Sequence, residues 1–434
     1  IAQPLVKWAI ECTRIQDLPL IIHRAAKIAL TPPMGPVFLS LPGDVLDDSA
    51  QIDIGKPTRV NTQVLPNQET LNSLVQAILN AENPAIVAGH EVASRDALDE
   101  AGDLALTMGA AVFQQTVPYS AQFKSEHPTF LGALSRNQQV CRQQLESHDL
   151  VIFLGSDVLR MSVFSETDPL PPHIKIIQIG ERDWELGKNY SAEFAVCANV
   201  KETAYALNNV LQTMMSDSHK SLATKRLTDI QRRNWSSRRT ERIIQAKSFD
   251  NTKPINTLKL MMELAGSIPN DCVVIEEALS SSVNLLNYLS LKDNQGYFGL
   301  ASGGIGFAMA GAIGISLALP DRPIVALVGD GSAMYSIQAL WTAAHLKRPI
   351  TYVIPNNRGY KILKQRLMSF RGTDKYIGMN ITDPAIDYVK LSESMGVPAI
   401  RIEDPGDLKD ALTQAARSNR TNLIEVMVST DINS

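Results

Sequence analysis

The chain has 434 residues, 44% hydrophobic and 20% charged, enough for a sizeable core and, on length alone, about three domains. A net charge of −4 with an isoelectric point near 6.0 gives no case for nucleic acid or an anionic membrane as partner, and no apolar run reaches the roughly 20 residues of a membrane span. Cys12, Cys141, Cys197 and Cys272 show no metal-ligand spacing and read as reduced thiols of a cytoplasmic protein.

The chain begins at Ile1, not Met, with no visible signal peptide, and is expected to be a piece of a longer protein. Residues 18–30 carry apolar side chains at helical spacing, and 37–41 read as a buried strand. Residues 67–214 form a second α/β unit. Its predicted strands cover 85–88, 111–113, 150–154 and 174–179, and several end in glycine: Gly89, Gly155, Gly180. Helices are predicted over 68–80 and 95–107. No Gly-x-Gly-x-x-Gly fingerprint follows these strands, so no FAD is expected there. His127 lies in the word His127-Pro128-Thr129-Phe130-Leu131-Gly132, and an imidazole titrates where proton transfer is useful. Residues 215–253 hold Arg226, Arg232, Arg233, Arg238, Arg239 and Arg242, which predicts an exposed helical linker with a solvated basic face.

Residues 254–434 carry the chemistry. Val273-Val274-Ile275 is a strand ending at Glu276-Glu277, followed by Ala278-Leu279-Ser280-Ser281-Ser282. Gly303-Gly304-Ile305-Gly306-Phe307-Ala308 is a poor dinucleotide fingerprint, because Met309 stands where its last glycine belongs. Ile324 to Val328 is an apolar, β-branched run bounded by Pro323 and Gly329-Asp330-Gly331, and 350–354 reads the same way. Met334, Ile337, Leu340, Trp341, Ala344 and Leu346 predict a helix of about 14 residues between them. Strand, helix, strand implies a right-handed crossover between parallel neighbours. Asp330 and Asn357 then sit at the carboxyl ends of neighbouring strands, where open α/β sheets bind ligands. Both offer hard oxygen donors to Mg²⁺, and the turn at Arg358-Gly359 adds a backbone carbonyl. Gly331 and Ser332 open the helix, so their N–H groups face an anion. Tyr360, Ile362, Leu363 and Arg366 continue onto a further helix, and 423–428 read as a closing strand.

Gly329-Asp330-Gly331, a spacer and Asn356-Asn357 resemble the signature of thiamine diphosphate-dependent enzymes. The flanking words Tyr335-Ser336-Ile337 and Ala339-Leu340-Trp341-Thr342-Ala343-Ala344 are most similar to the benzoylformate decarboxylase branch, with acetolactate synthase large subunits more distant. The resemblance implies an α/β fold of doubly wound parallel sheets. In it, 1–50 is the end of a truncated N-terminal pyrimidine-binding domain, 67–214 the central domain and 254–434 the diphosphate-binding domain. It implies thiamine diphosphate held by Gly303, Ile305, Gly329, Asp330, Gly331, Ser332, Asn357, Gly359 and Tyr360, and Mg²⁺ on Asp330, Asn357 and Gly359. The Gly303 carbonyl would accept from the aminopyrimidine, and Ile305 would hold the cofactor bent. His127 and Ser280 are the candidate catalytic residues. Leu279 replaces a polar residue expected at the aminopyrimidine, while Ser282 remains a donor there. Gly299 and Arg366 stand where an arylglyoxylate pocket would have aromatic residues, which puts a phenyl substrate in doubt; Arg366 is also a candidate partner for a substrate carboxylate. The implied activity is decarboxylation or carboligation of a 2-oxo acid by a homodimer or homotetramer. The alternatives are an acetolactate synthase-like transferase or a non-catalytic homologue. The family's activating glutamate lies in the early domain, so a chain starting at Ile1 is expected to be inactive alone.

Overall fold

The structure, a computed structural model, describes residues 1–161 and 165–432. Strands β1 (Trp8–Glu11) and β2 (Val37–Ser40) form a parallel pair flanked by the helix Leu18–Leu30. The stretch expected as a buried strand at 37–41 is instead partly open, with Phe38 and Leu41 exposed. Only two strands pair here, and the small core of Cys12, Ile21 and Val45 covers one face.

The central unit contains β3 (Pro84–Ala88), β4 (Ala111–Gln114), β5 (Phe130–Ala133), β6 (Leu150–Leu154), β7 (Lys175–Gly180) and β8 (Phe194–Cys197). They form a parallel sheet in the order β5-β4-β3-β6-β7-β8. That is a doubly wound sheet whose chain direction reverses between β3 and β6. Helices Gln68–Leu79, Leu98–Met108 and Val200–Met214 bury one face, and Cys141 and Leu145 of Gln138–Leu145 bury the other. Asn67 caps the first helix by accepting the Thr70 N–H at 2.8 Å. Strands β5 and β8 escaped the sequence reading. β5 is interrupted by Gly132 at φ 107° and a register shift, and β8 is short and half-exposed.

The C-terminal unit contains β9 (Val273–Glu277), β10 (Tyr297–Gly299), β11 (Ile324–Val328), β12 (Ile350–Asn356), β13 (Ala399–Ile402) and β14 (Asn422–Met427). All pairs are parallel, in the order β10-β9-β11-β12-β14-β13. Side chains of β11 alternate between the two layers: Ile324, Ala326 and Val328 enter one core, Val325 and Leu327 the other. A strand buried on both faces needs this continuous apolar run. Ile324 stands opposite Ile350, which brings the ends of β11 and β12 side by side.

The single helix expected between β11 and β12 is two short helices, Asp330–Ala333 and Ala339–His345. The intervening turn is held by the Ser336 hydroxyl, which donates to the Gly306 carbonyl at 2.8 Å. Not every apolar residue on that spacing faces the core: Trp341 and Met334 are exposed.

Residues 215–253 form the helices Asp217–Gln231 and Trp235–Lys247. They are more than a solvated linker. Trp235 is buried, and its indole N–H donates to the Leu286 carbonyl at 2.8 Å. Arg226 donates to the Met108 carbonyl and Arg239 to the Tyr288 carbonyl. The pair of helices thus fastens the central unit to the C-terminal one. Among the described residues no helix is long and apolar enough to cross a membrane.

Candidate functional site

Chain direction reverses between β9 and β11, which opens a crevice beyond the carboxyl ends of these strands. Asp330 begins directly past β11 and is buried. Its Oδ1 accepts the Gly331 N–H and its Oδ2 the Gly359 N–H, both at 2.9 Å. Burial pushes the carboxyl up to about 6 against these backbone N–H groups, which pull it down. The Tyr360 ring lies across the same turn: a Cβ on Gly331 would stand 2.5 Å from it. Gly359 is equally constrained, since its Cβ would fall 2.5 Å from the Met379 carbonyl.

Asn357 follows β12 and is buried. Its Nδ2 donates to Ser281 Oγ at 3.3 Å. Ser281 lies just beyond β9, so the Asn357 side chain crosses above the end of β11, where Asp330 stands. Its Oδ1 is buried without a hydrogen-bond partner. A buried amide oxygen left unpaired is costly, and this one stands at the tip of β12, next to the strand that Asp330 follows. The Gly359 carbonyl accepts the Lys361 N–H at 3.0 Å, which leaves one lone pair. An acidic oxygen, an orphaned amide oxygen and a turn carbonyl fit a divalent ion with oxygen preference. The site would also require a ligand such as a diphosphate to complete its shell.

Other expected residues gather at this edge. Ser332 is buried in the turn after Asp330. Gly329 donates its N–H to the Glu277 carbonyl at 3.3 Å. Ser280 is half-buried in the turn Leu279–Ser281. Ser282 differs from expectation: its hydroxyl donates to Glu276 Oε1 and to the Leu279 carbonyl, so it is engaged within its own turn. Gly303 is exposed, with open space where a Cβ would lie, and Ile305 is half-buried.

The loop bearing these two residues is pinned by Glu277, which the sequence reading assigned no role. Glu277 is fully buried and accepts the Gly306 and Ala308 N–H groups, the latter at 2.6 Å. That caps the helix Phe307–Ala318 with a carboxylate. Its partners lie about thirty positions away, so no local spacing marks it.

His127 is placed elsewhere. Its Nδ1 pairs with Thr129 Oγ1 at 2.8 Å, and its ring meets Phe123 edge-on. Its Nε2 lies 3.0 Å from where Gly102 would carry a Cβ. Burial lowers its pKa, and the nearby Lys124 adds to this against Asp103 and Asp99. All these neighbours belong to the central unit, where the His127 ring packs against the helix Leu98–Met108.

The central sheet has its own crevice between β3 and β6, and it is filled. The Glu91 N–H is donated to the Gly155 carbonyl at 3.0 Å. The buried Glu91 carboxylate accepts the Glu181 N–H at 2.8 Å and Arg182 Nε at 3.0 Å. Arg182 also pairs with Asp157 at 2.8 Å. A side-chain anion therefore lies at the start of the short helix that follows β3.

Comparison with known proteins agrees with the C-terminal geometry. The profile of the thiamine pyrophosphate enzyme central domain matches residues 71–207, and that of the C-terminal TPP binding domain matches 280–426. Together they take in more than half of the chain, which belongs to the thiamine diphosphate-dependent enzymes. Within that family the chain is 26% identical over 433 residues to benzoylformate decarboxylase of Pseudomonas aeruginosa, covering 99% of this chain and 77% of that protein. It is also 26% identical over 455 residues to a probable acetolactate synthase large subunit of Methanocaldococcus jannaschii, covering 98% and 72%. Among solved structures, the 4-hydroxybenzoylformate decarboxylase of Rhodococcus jostii RHA1 superposes with a TM-score of 0.84 at 27% identity, covering 99% of this chain and 77% of that one.

Proposed function

We propose that the chain is a thiamine diphosphate- and Mg²⁺-dependent carboxy-lyase acting without oxidation on a 2-oxo acid. The observation that carries this is the buried, unpaired Asn357 Oδ1 on the turn whose Gly359 N–H is bonded to the Asp330 carboxylate. Asp330, Asn357 and the Gly359 carbonyl would hold the ion; the ion and the Ser332 N–H would hold the diphosphate, while the Gly331 N–H orients the Asp330 carboxylate. When bound, thiamine diphosphate supplies a carbanion that adds to the 2-oxo carbonyl and an electron sink for the departing carbon dioxide. Glu277 fixes the loop whose Gly303 carbonyl and Ile305 side chain orient the organic rings. Ser280, just past β9 at the same edge, donates a hydrogen bond at the reacting end. Arg366, on the helix Lys361–Arg371, supplies positive charge for an anionic substrate.

A Cβ on Gly299 would lie 2.8 Å from Tyr297 Oη, so a side chain at 299 would require the buried Tyr297 ring to shift. The substrate panel therefore runs from pyruvate to benzoylformate. Because the resemblance puts the activating glutamate in the early pyrimidine-binding domain, the assay uses the protein expressed with that domain complete. Loaded with thiamine diphosphate and Mg²⁺, it is expected to release carbon dioxide from at least one of them, and none released from any would end this reading. The similarity to acetolactate synthases favours a second outcome, transfer to another carbonyl, so products are scored as aldehyde or 2-hydroxy ketone. We place the enzyme in the cytoplasm, in keeping with four free cysteines. We also propose a homo-oligomer, supported by the exposed Phe307, Leu317, Tyr335 and Trp341 of the C-terminal unit.

A further inference from the structure

Behind the metal-ligand turn lies a buried charged chain that the reaction does not use. Glu425 sits on β14 and is 0% exposed, with Arg401 of β13 directly opposite in register. Its Oε2 accepts Arg401 Nε at 2.7 Å, and its Oε1 accepts Asn356 Nδ2 at 2.6 Å. Asn356 in turn accepts the Arg358 N–H on its Oδ1 at 2.9 Å. Arg358 has φ 58°, a left-handed conformation that a branched-off side chain resists. That single residue lies between Asn357 and Gly359, so its conformation aims both at Asp330. Arg401 also donates to Asp387 at 3.1 Å. The next residue, Tyr388, is buried and donates its hydroxyl to the Asp330 carbonyl at 2.7 Å. One arm of this chain therefore ends on the Asn357 turn and the other on the Asp330 backbone. A cleft of about 250 Å³ lies along it, lined by Asn356, Arg358, Asp387, Tyr388, Arg401 and Glu425 among others.

We infer that Glu425 and Tyr388 are positioning residues for the divalent cation: through Asn356 and through the Asp330 carbonyl they hold the two oxygen donors in register before the ion arrives. The inference rests on the Mg²⁺ site proposed above. Desolvated carboxylates cost free energy unless paired, and Arg401 pairs this one. A neutral side chain at 425 has one acceptor oxygen for two donors, so an N–H must face an N–H. Outer-shell partners of metal ligands typically tune affinity by about 10–100-fold.

The test uses the full chain as wild type, E425Q and Y388F. Thiamine diphosphate binding is followed by calorimetry over a Mg²⁺ titration, and folding of the metal-free proteins by thermal denaturation. The expected result is a Mg²⁺ midpoint raised about tenfold in each variant, with cofactor affinity recovered at saturating Mg²⁺. A role in stability alone would shift the melting curve and leave the midpoint in place. The exchange N356D/E425Q, which swaps donor and acceptor, brings the midpoint back towards wild type. Should E425Q not fold, R401K reads the same arm, because lysine keeps the charge but not the directed Nε–H. A folded variant whose midpoint stays within threefold of wild type removes that residue from the role. A wild type that binds no cofactor with Mg²⁺ fails earlier, and it takes the functional reading down with the inference.

Discussion

The Asp330 carboxylate accepts the backbone N–H of Gly359, 29 positions further along the chain, at 2.9 Å. This bond joins the tips of β11 and β12. It folds the turn carrying Asn357 over the carboxylate, which is the arrangement the proposed ion site requires. Preorganisation of this kind lowers the conformational cost of binding. Burial of the Asp330 carboxyl pushes it upward, while the N–H groups of Gly331 and Gly359 pull it down.

Replacing Asp330 by alanine removes the one formally charged side chain of the proposed metal site. Mg²⁺-dependent affinity for thiamine diphosphate is expected to fall by more than the roughly 100-fold that marks the upper end of outer-shell changes. Calorimetry on D330A reads this directly. Unchanged cofactor affinity would place the ion elsewhere.

Asn357 separates binding from stability. Its Oδ1 has no partner, and its single bond to Ser281 is long at 3.3 Å. N357A gives up little in the metal-free protein, within about 1 kcal/mol by denaturant unfolding, while losing Mg²⁺-dependent cofactor binding. A large loss of metal-free stability with intact binding would make Asn357 a structural residue.

Gly359 behaves in the opposite way. A methyl group there meets the Met379 carbonyl, and main chain cannot step aside as a side-chain tip can. G359A is expected to lower unfolding free energy by about 1–3 kcal/mol and to break the bond to Asp330, so stability and cofactor binding fall together. Retention of both would mean that the 379–380 segment moves freely.

The elements that sequence patterning exposed are the ones whose signals are local. β11 and β12 announced themselves by continuous β-branched runs, and Asp330 and Asn357 by their position at the ends of those runs. Glycines at 331 and 359 were legible as turn residues, though not the reason for them, a ring and a carbonyl pressed close. What stayed hidden depends on partners far apart in sequence. Glu277 works through Gly306 and Ala308, Glu425 through Asn356 and Arg401, and Ser281 through Asn357. The expectation for His127 came from a resemblance in its neighbouring residues, a word that says nothing of the contacts its ring makes with Thr129 and Phe123. Ser282 looked available because a Ser-rich run says nothing about which hydroxyl Glu276 will take.

The central crevice supports a last prediction. In a doubly wound sheet a dinucleotide places its pyrophosphate at the helix start after the first strand. Here that start is Gly89-His90-Glu91, and backbone closes over it: a Cβ on Gly89 would lie 2.3 Å from the Gly155 carbonyl, and one on Gly155 2.6 Å from Glu91 Cβ. The Glu91 carboxylate takes the N–H and the arginine that an incoming phosphate would need. A flavin dinucleotide would have to expel a buried, hydrogen-bonded carboxylate and then repel it. The purified full chain is therefore expected to be colourless and to gain no flavin on incubation with FAD. The variant E91Q, which drops the charge but keeps the wedge, should behave the same way. A flavin that copurifies, or one that binds wild type and stabilises it against heat, would show that this network opens, and would move the enzyme towards the acetolactate synthase-like alternative.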